Sequence, residues 1–248
     1  MPAADELGAG VEIEGGRWAR LAVRADRLAA AAAVRPYRSM LAILSVNLVL
    51  VALFAPIGAA LFSDPAELFR ELMPATWLST AELVFIAVVA WGIHVRVTGV
   101  SRLRLDNFWG LSAASFAFFA MFELTDASHF TSELLYTAGT LEPAGFRDLD
   151  AFLLTVIFLS AAAALMRNVK DVLPHRRALV LFGIGVLLAA GSQTLDSLVA
   201  VSSGEFVAEE TLKLAAEPFL IGGFLVVLQR VTRPEPASEP GRVEARGV

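Results

Sequence analysis

The sequence predicts an all-α polytopic membrane protein: a six-helix transmembrane bundle with both termini in the cytoplasm. Three observations lead there. Of the 248 residues, 56% are hydrophobic and 18% charged, whereas soluble domains run near 45–50% apolar and about 25% charged. The apolar residues gather in blocks of about 20, the length that crosses roughly 30 Å of hydrocarbon at about 1.5 Å per residue. The segments between the blocks alternate between basic and acidic.

Residues 1–38 form an expected cytoplasmic segment. Residues 1–16 are polar and Gly-rich, with no apolar run before the arginines, so no signal peptide is expected. From residue 17 to 33 the spacing predicts an amphipathic helix. Arg17, Arg20, Arg24 and Arg27 fall on one face, and Trp18, Leu21, Ala25 and Leu28 on the other. Such a helix suits an anionic cytoplasmic leaflet, with those arginines on lipid headgroups.

Residues 39–231 hold the six expected spans: Met40–Phe62, Trp77–Val95, Phe108–Phe130, Ala151–Met166, Ala178–Val201 and Phe206–Leu228. Arg35 and Arg38 precede the first, and Arg96, Arg102 and Arg104 follow the second. Arg167, Lys170, Arg176 and Arg177 follow the fourth, and Arg230 and Arg233 the sixth. Asp64, Glu67 and Glu71, then Glu142, Asp148 and Asp150, lie in the other loops. The positive-inside rule puts every basic loop on the cytoplasmic side of the cell membrane under an even span count. Trp77 and Trp109 stand at span ends, where aromatic rings favour the interface. Residues 232–248 are rich in Pro and Glu and are expected to be a disordered tail.

Composition also excludes chemistries. With no cysteine there is no disulfide, thiolate metal site, iron–sulfur cluster or cysteine nucleophile, and no haem or nucleotide signature is present. A three-histidine zinc site is rejected, because His94 and His175 fall at cytoplasmic span ends and His129 on the opposite side. A net charge of -5 gives no case for nucleic acid.

The functional signal is the set of ionisable residues inside the apolar blocks, since a charge deep in hydrocarbon costs about 2.5–3.5 kcal/mol or more unless it faces protein or water. In the third span Glu123, Asp126, His129 and Glu133 are spaced by 3, 3 and 4, which lines one helix face. Asp196 ends the fifth span, one turn after Ser192 and Gln193, and Glu82 lies in the outer half of the second. The last span carries Glu209, Glu210, Lys213 and Glu217. The i, i+4, i+8 spacing of Glu209, Lys213 and Glu217 lets Lys213 pair with a carboxylate above or below it. Pro218 follows as a candidate hinge, and Gly222 and Gly223 allow close helix approach. The expected site is therefore Glu82, Glu123, Asp126, His129, Asp196, Glu209, Glu210, Lys213 and Glu217, on spans two, three, five and six. It would form a polar cavity open to the extracytoplasmic side, with spans one and four as lipid-facing scaffold. Asp126, His129 and Glu210 are of types that hold a divalent metal.

Glu123, Asp126 and His129, followed by Glu209, Glu210 and Lys213, resemble a group of prokaryotic multi-span proteins. These carry an acidic stretch before a histidine late in one span and a Glu-Glu-x-x-Glu/Lys stretch entering the last. The resemblance covers the second half of the chain. It implies a shared site and brings no activity with it. Membrane hydrolases of the alkaline ceramidase type need histidines that are absent here, and microbial rhodopsins have seven spans.

Three functions follow. The first expectation is a site that binds or transports a cation or a proton-coupled solute. The alternatives are an intramembrane, metal-dependent enzyme acting on a lipid-soluble substrate, and a membrane sensor or partner-binding subunit.

Overall fold

A computed structural model of the chain describes residue 24 and residues 27–69, 74–99, 102–125, 149–198 and 202–233. Every regular element among them is helical: α1 (Pro36–Phe62), α2 (Pro74–Thr98), α3 (Phe108–Thr125), α4 (Leu149–Arg167), α5 (Arg176–Leu198) and α6 (Ser203–Thr232). Single 3₁₀ turns stand at Glu67–Phe69 and Val169–Asp171. Five stretches are long and apolar enough to cross a membrane: α1, Glu67–Thr98 containing α2, α3, Arg176–Leu195 of α5, and α6. The remaining helix, α4, overlaps the expected fourth span, and its described apolar stretch, Thr155–Arg167, is shorter. The bundle is consistent with a helical membrane protein.

Local chemistry sets the helix ends. Pro36 opens α1, where a missing N–H costs nothing. Asn107 caps α3: its Oδ1 accepts from Gly110 N–H at 2.9 Å. Asp171, from the turn before α5, accepts from Phe108 N–H at 2.9 Å, so two orphan donors of α3 are met. Ser202 and Glu205 form a capping box on α6, with Glu205 N–H donating to Ser202 Oγ and Ser202 N–H to Glu205 Oε2.

Helix α6 is the axis of the bundle. It packs on α5, α1 and α2, and α2 packs in turn on α3. Its buried seam runs Glu210, Leu214, Glu217, Ile221, Phe224 and Leu228, and that of α2 runs Ala75, Ser79, Glu82, Ile86, Val89 and Ile93. Both alternate in steps of three and four, the spacing that keeps one helix face in contact. Gly222 and Gly223 set two approaches at once. A Cβ on Gly222 would stand 2.8 Å from Met40 Sδ of α1, and one on Gly223 2.5 Å from the Phe182 ring of α5. Phe224 then collects Phe182, Phe116 and Trp109 at ring-centroid distances of 4.9, 5.8 and 6.1 Å.

The turn of residues 27–33 before α1 is helical, with Ala29 and Ala33 buried against the main core. Arg24, Arg27 and Leu28 are exposed. Arg17 and Arg20 lie outside the described residues, as does the expected tail beyond Arg233. At the basic end, His94 is fully buried. Its Nδ1 meets Asn107 Oδ1 at 3.2 Å and its Nε2 meets Arg102 O at 3.0 Å, which fastens the α2–α3 loop. At this end of the helix the ring is a loop anchor inside the protein.

Two tests follow from this packing. Replacing Gly223 by Ala drives a methyl into the Phe182 ring and is expected to cost about 1–3 kcal/mol. Gly183→Ala meets nothing within 4 Å and is expected to be neutral or to stabilise by up to about 1 kcal/mol. Thermal unfolding of both variants in one detergent checks the contrast. Burial, with Arg230 nearby, holds the His175 imidazole below its ordinary 6.5. The unfolded chain then takes up the proton first, so stability is expected to fall as pH drops through about 6.5. A melting series from about pH 7.5 to about pH 5.5 should show this fall flattened in His175→Gln.

Candidate functional site

A proline inside a helix removes one N–H and strands the carbonyl four residues earlier. Pro218 lies inside α6 and is buried, so the stranded carbonyl is that of Leu214. The structure supplies a partner from another helix. Asn47 of α1 donates through Nδ2 to Leu214 O at 2.7 Å, and the same amide nitrogen donates to Glu82 Oε2 of α2 at 3.3 Å. Asn47 is 1% exposed. Next to Pro218, Glu217 Oε1 accepts from the Ser79 hydroxyl at 2.6 Å. The Glu82 and Glu217 carboxyls are close enough for their charges to act on each other. Three helices thus contribute Asn47, Ser79, Glu82 and Glu217 to one buried polar layer.

Apolar packing closes this layer on both sides along the bundle. Toward the α1–α2 loop, Phe69, Ala75 and Leu214 form a small cluster with Val51 and Phe54. Toward the basic end, Ile86 and Ile221 begin the main core, with Ile43 against it. Within the layer, Glu82 Oε1, Glu217 Oε2 and Asn47 Oδ1 are buried and have no hydrogen-bond partner among the described residues. All three are acceptors, so the layer has more acceptors than protons to fill them.

A second polar group sits beside the layer. Lys213 Nζ donates to Glu123 Oε1 of α3 at 2.7 Å and to Glu210 Oε1 of its own helix at 2.8 Å. The Lys213 and Glu123 side chains are 28% and 22% exposed, Glu210 6%. Glu217 lies near enough for the charges of Lys213 and Glu123 to act on it. Four carboxyls, Glu82, Glu123, Glu210 and Glu217, therefore share one described cation.

Of the expected site residues, the structure brings together Glu82, Glu123, Glu210, Lys213 and Glu217. The i, i+4 pairing expected for Lys213 is corrected: the ammonium bonds Glu210 one turn back at i−3 and crosses to Glu123. Glu209 is half-buried beside Glu210. Asp196 lies in α5 with its side chain outside the described residues, and Gln193 on the turn before it donates to Thr155 of α4 at 3.4 Å. Asp126, His129 and Glu133 lie outside the described residues, so the proposed Asp126–His129–Glu210 metal set is represented by Glu210 alone. Among the described residues no three His, Asp or Glu gather as metal ligands. The view of α1 as scaffold alone is corrected by Asn47. The signal for it was a lone Asn in the middle of an apolar span, and for Ser79 its position one turn before Glu82.

No family model, curated protein or solved structure matches the chain. The site must be read from its own chemistry.

The Asn47–Pro218 link is open to a double-mutant cycle. Asn47→Ala strands the Leu214 carbonyl and takes a donor from Glu82, at an expected cost of about 1–3 kcal/mol. Pro218→Ala returns an N–H to that carbonyl, so it should cost less, or help, in the Asn47→Ala background, with a coupling of about 0.5–3 kcal/mol. Additive effects in chemical or thermal unfolding would show that the carbonyl is not what Asn47 serves.

Proposed function

We propose that the chain is a six-span cell-membrane protein, both termini cytoplasmic, whose Glu82–Glu217 pair carries an exchangeable proton that couples to the binding or passage of a solute. The observation that carries this reading is a pair of buried, neighbouring carboxyls, one held by Ser79 and one by Asn47, each with a second oxygen that has no donor among the described residues. Two carboxylates side by side in a low-dielectric site repel strongly, and one proton between them removes the repulsion and supplies the missing donor. Ser79 and Asn47 each hold the opposite oxygen of one carboxyl, which orients the pair toward that shared proton.

The alternation of basic and acidic loops supports the orientation, and it puts the polar layer in the extracytoplasmic half. Lys213 and Glu123, partly exposed, offer protons and solute a way in from that side toward the buried Glu210, while the Phe69 cluster closes the layer itself. In this reading the described state is occluded, and opening requires movement of α6 near Pro218. The basic N-terminal helix, with Arg24 and Arg27 exposed, would rest on anionic headgroups. The enzyme reading needs Glu210 as a metal ligand. An ammonium at 2.8 Å already occupies that carboxylate and opposes a divalent cation there, so the proton reading is preferred.

Infrared spectroscopy of the purified protein is expected to show a band from a protonated, buried carboxyl near neutral pH. The band should be lost in the Glu82→Gln, Glu217→Gln double variant. Its absence from the native protein would sink the reading. In proteoliposomes loaded with a pH-sensitive dye, Glu217→Gln is expected to slow proton uptake by about 10-fold or more.

A further inference from the structure

We propose that the turn of residues 64–69 is a hinged plug: it swings about Ser63, lifts Phe69 out of the bundle and opens the polar layer at the acid-rich end. The proposal rests on the placement of that layer and concerns access to it, whether or not its carboxyls exchange a proton. Phe69 is 1% exposed and packs with Ala75 of α2 and Leu214 of α6, with Val51 and Phe54 of α1 against them. Its ring meets that of Phe54 edge-on at 5.9 Å. The 3₁₀ turn Glu67–Phe69 touches α1, α2 and α6. These are the three helices that supply Asn47, Ser79 with Glu82, and Glu217. One aromatic side chain thus stops the mouth of the layer. Leu214 ties the plug to α6, because its side chain packs with Phe69 and its carbonyl is held by Asn47. Bending of α6 at Pro218 and release of the plug therefore go together.

Three observations make this turn a moving part. First, its bonds are its own. Asp64 Oδ1 accepts from Ala66 N–H at 3.0 Å, Asp64 O from Glu67 N–H at 3.3 Å and Ala66 O from Phe69 N–H at 2.9 Å. The turn is a preformed unit that keeps these bonds when it moves. Second, Ser63, which joins it to α1, has φ 61° and ψ 12° and is the only non-glycine residue with positive φ among the described residues. Glycine is the usual choice at such a helix end. A serine there holds strain that a return to the extended region relieves, and rotation at that one residue carries the turn away from α1. Third, its seat is a glycine. Gly58 is buried, and a Cβ on it would stand 2.8 Å from Asp64 O and 3.1 Å from Pro65 O. The turn's backbone lies directly on α1 there, so one methyl group would lift it without touching Phe69 or the polar layer.

The chain has no cysteine, so one introduced thiol reports access to the layer. Ser79→Cys is the reporter, and Ser112→Cys, equally buried in α3, is the control. Full-length protein in nanodiscs is treated with a quaternary-ammonium methanethiosulfonate, whose charge keeps it out of lipid. Mass spectrometry follows the modification rate, which tracks the population of the open form. The Ser79→Cys reporter is expected to react slowly in the otherwise native chain. Adding Phe69→Ala should speed it about 10-fold or more, and adding Gly58→Ala about 5-fold or more. Adding Ser63→Gly removes the strain of the seated form and should slow it about 5-fold. The Ser112→Cys control should stay slow throughout. A rate unchanged by Phe69→Ala would show that this ring is not the barrier. One unchanged by Gly58→Ala would show that the turn does not lift, and would overturn the hinge. Equal acceleration of Ser112→Cys would mean general loosening and overturn the plug. Absence of the protonated-carboxyl band, with these rates as expected, would strike the proton reading and leave the plug standing.

Discussion

One missing hydrogen bond organises the centre of this molecule. Pro218 takes a donor out of α6, and in a medium without water the stranded Leu214 carbonyl has to be met by protein. Asn47 meets it from α1. An amide nitrogen has two hydrogens, and the second is spent on Glu82 of α2. The backbone defect of one helix, the amide of a second and the carboxyl of a third are thus fixed to one another. Glu217 is held by its position beside Pro218 and by Ser79 on the same face of α2 as Glu82. Remove the proline and Asn47 loses its reason to sit where it orients Glu82.

The apolar layers on either side give this polar layer its character. A carboxyl open to water changes its charge at little cost, whereas one sealed between the Phe69 cluster and the Ile86–Ile221 core does so only with its neighbours. Burial therefore turns separate acidic groups into a unit. Lys213 cannot neutralise them all, because its ammonium is already shared by Glu123 and Glu210. The residual imbalance lies where hydration is poorest, which is the ground for proposing proton exchange there rather than helix cohesion alone.

Much of this was legible along the chain. Block length fixed the helices to within a few residues, because a 30 Å barrier leaves little freedom. Glu82, Glu123, Glu210, Lys213 and Glu217 stood out because ionisable groups in apolar runs are expensive. Asn47 did not stand out, since its task arises from a proline in a helix 167 residues from it at the carbonyl it serves. Spacing also favoured the wrong partner for Lys213. Equal one-turn separations offered Glu209, Glu210 and Glu217, and the choice fell to the crossing helix that brought Glu123 near. The capping box at Ser202 and Glu205 was a readable local pattern that went unread beneath the stronger signal of the acidic residues after it.

The acidic seam of α6 bears on how the protein is made. A segment with Glu209, Glu210, Lys213 and Glu217 is a poor candidate for entering lipid alone, since each central charge opposes transfer by about 2.5–3.5 kcal/mol. Its ligands are Asn47, Ser79 and Glu123, all carried by helices synthesised earlier. Partition of this last segment from the translocon into the bilayer is therefore expected to wait on α1 to α3, whose Asn47, Ser79 and Glu123 would receive its polar groups.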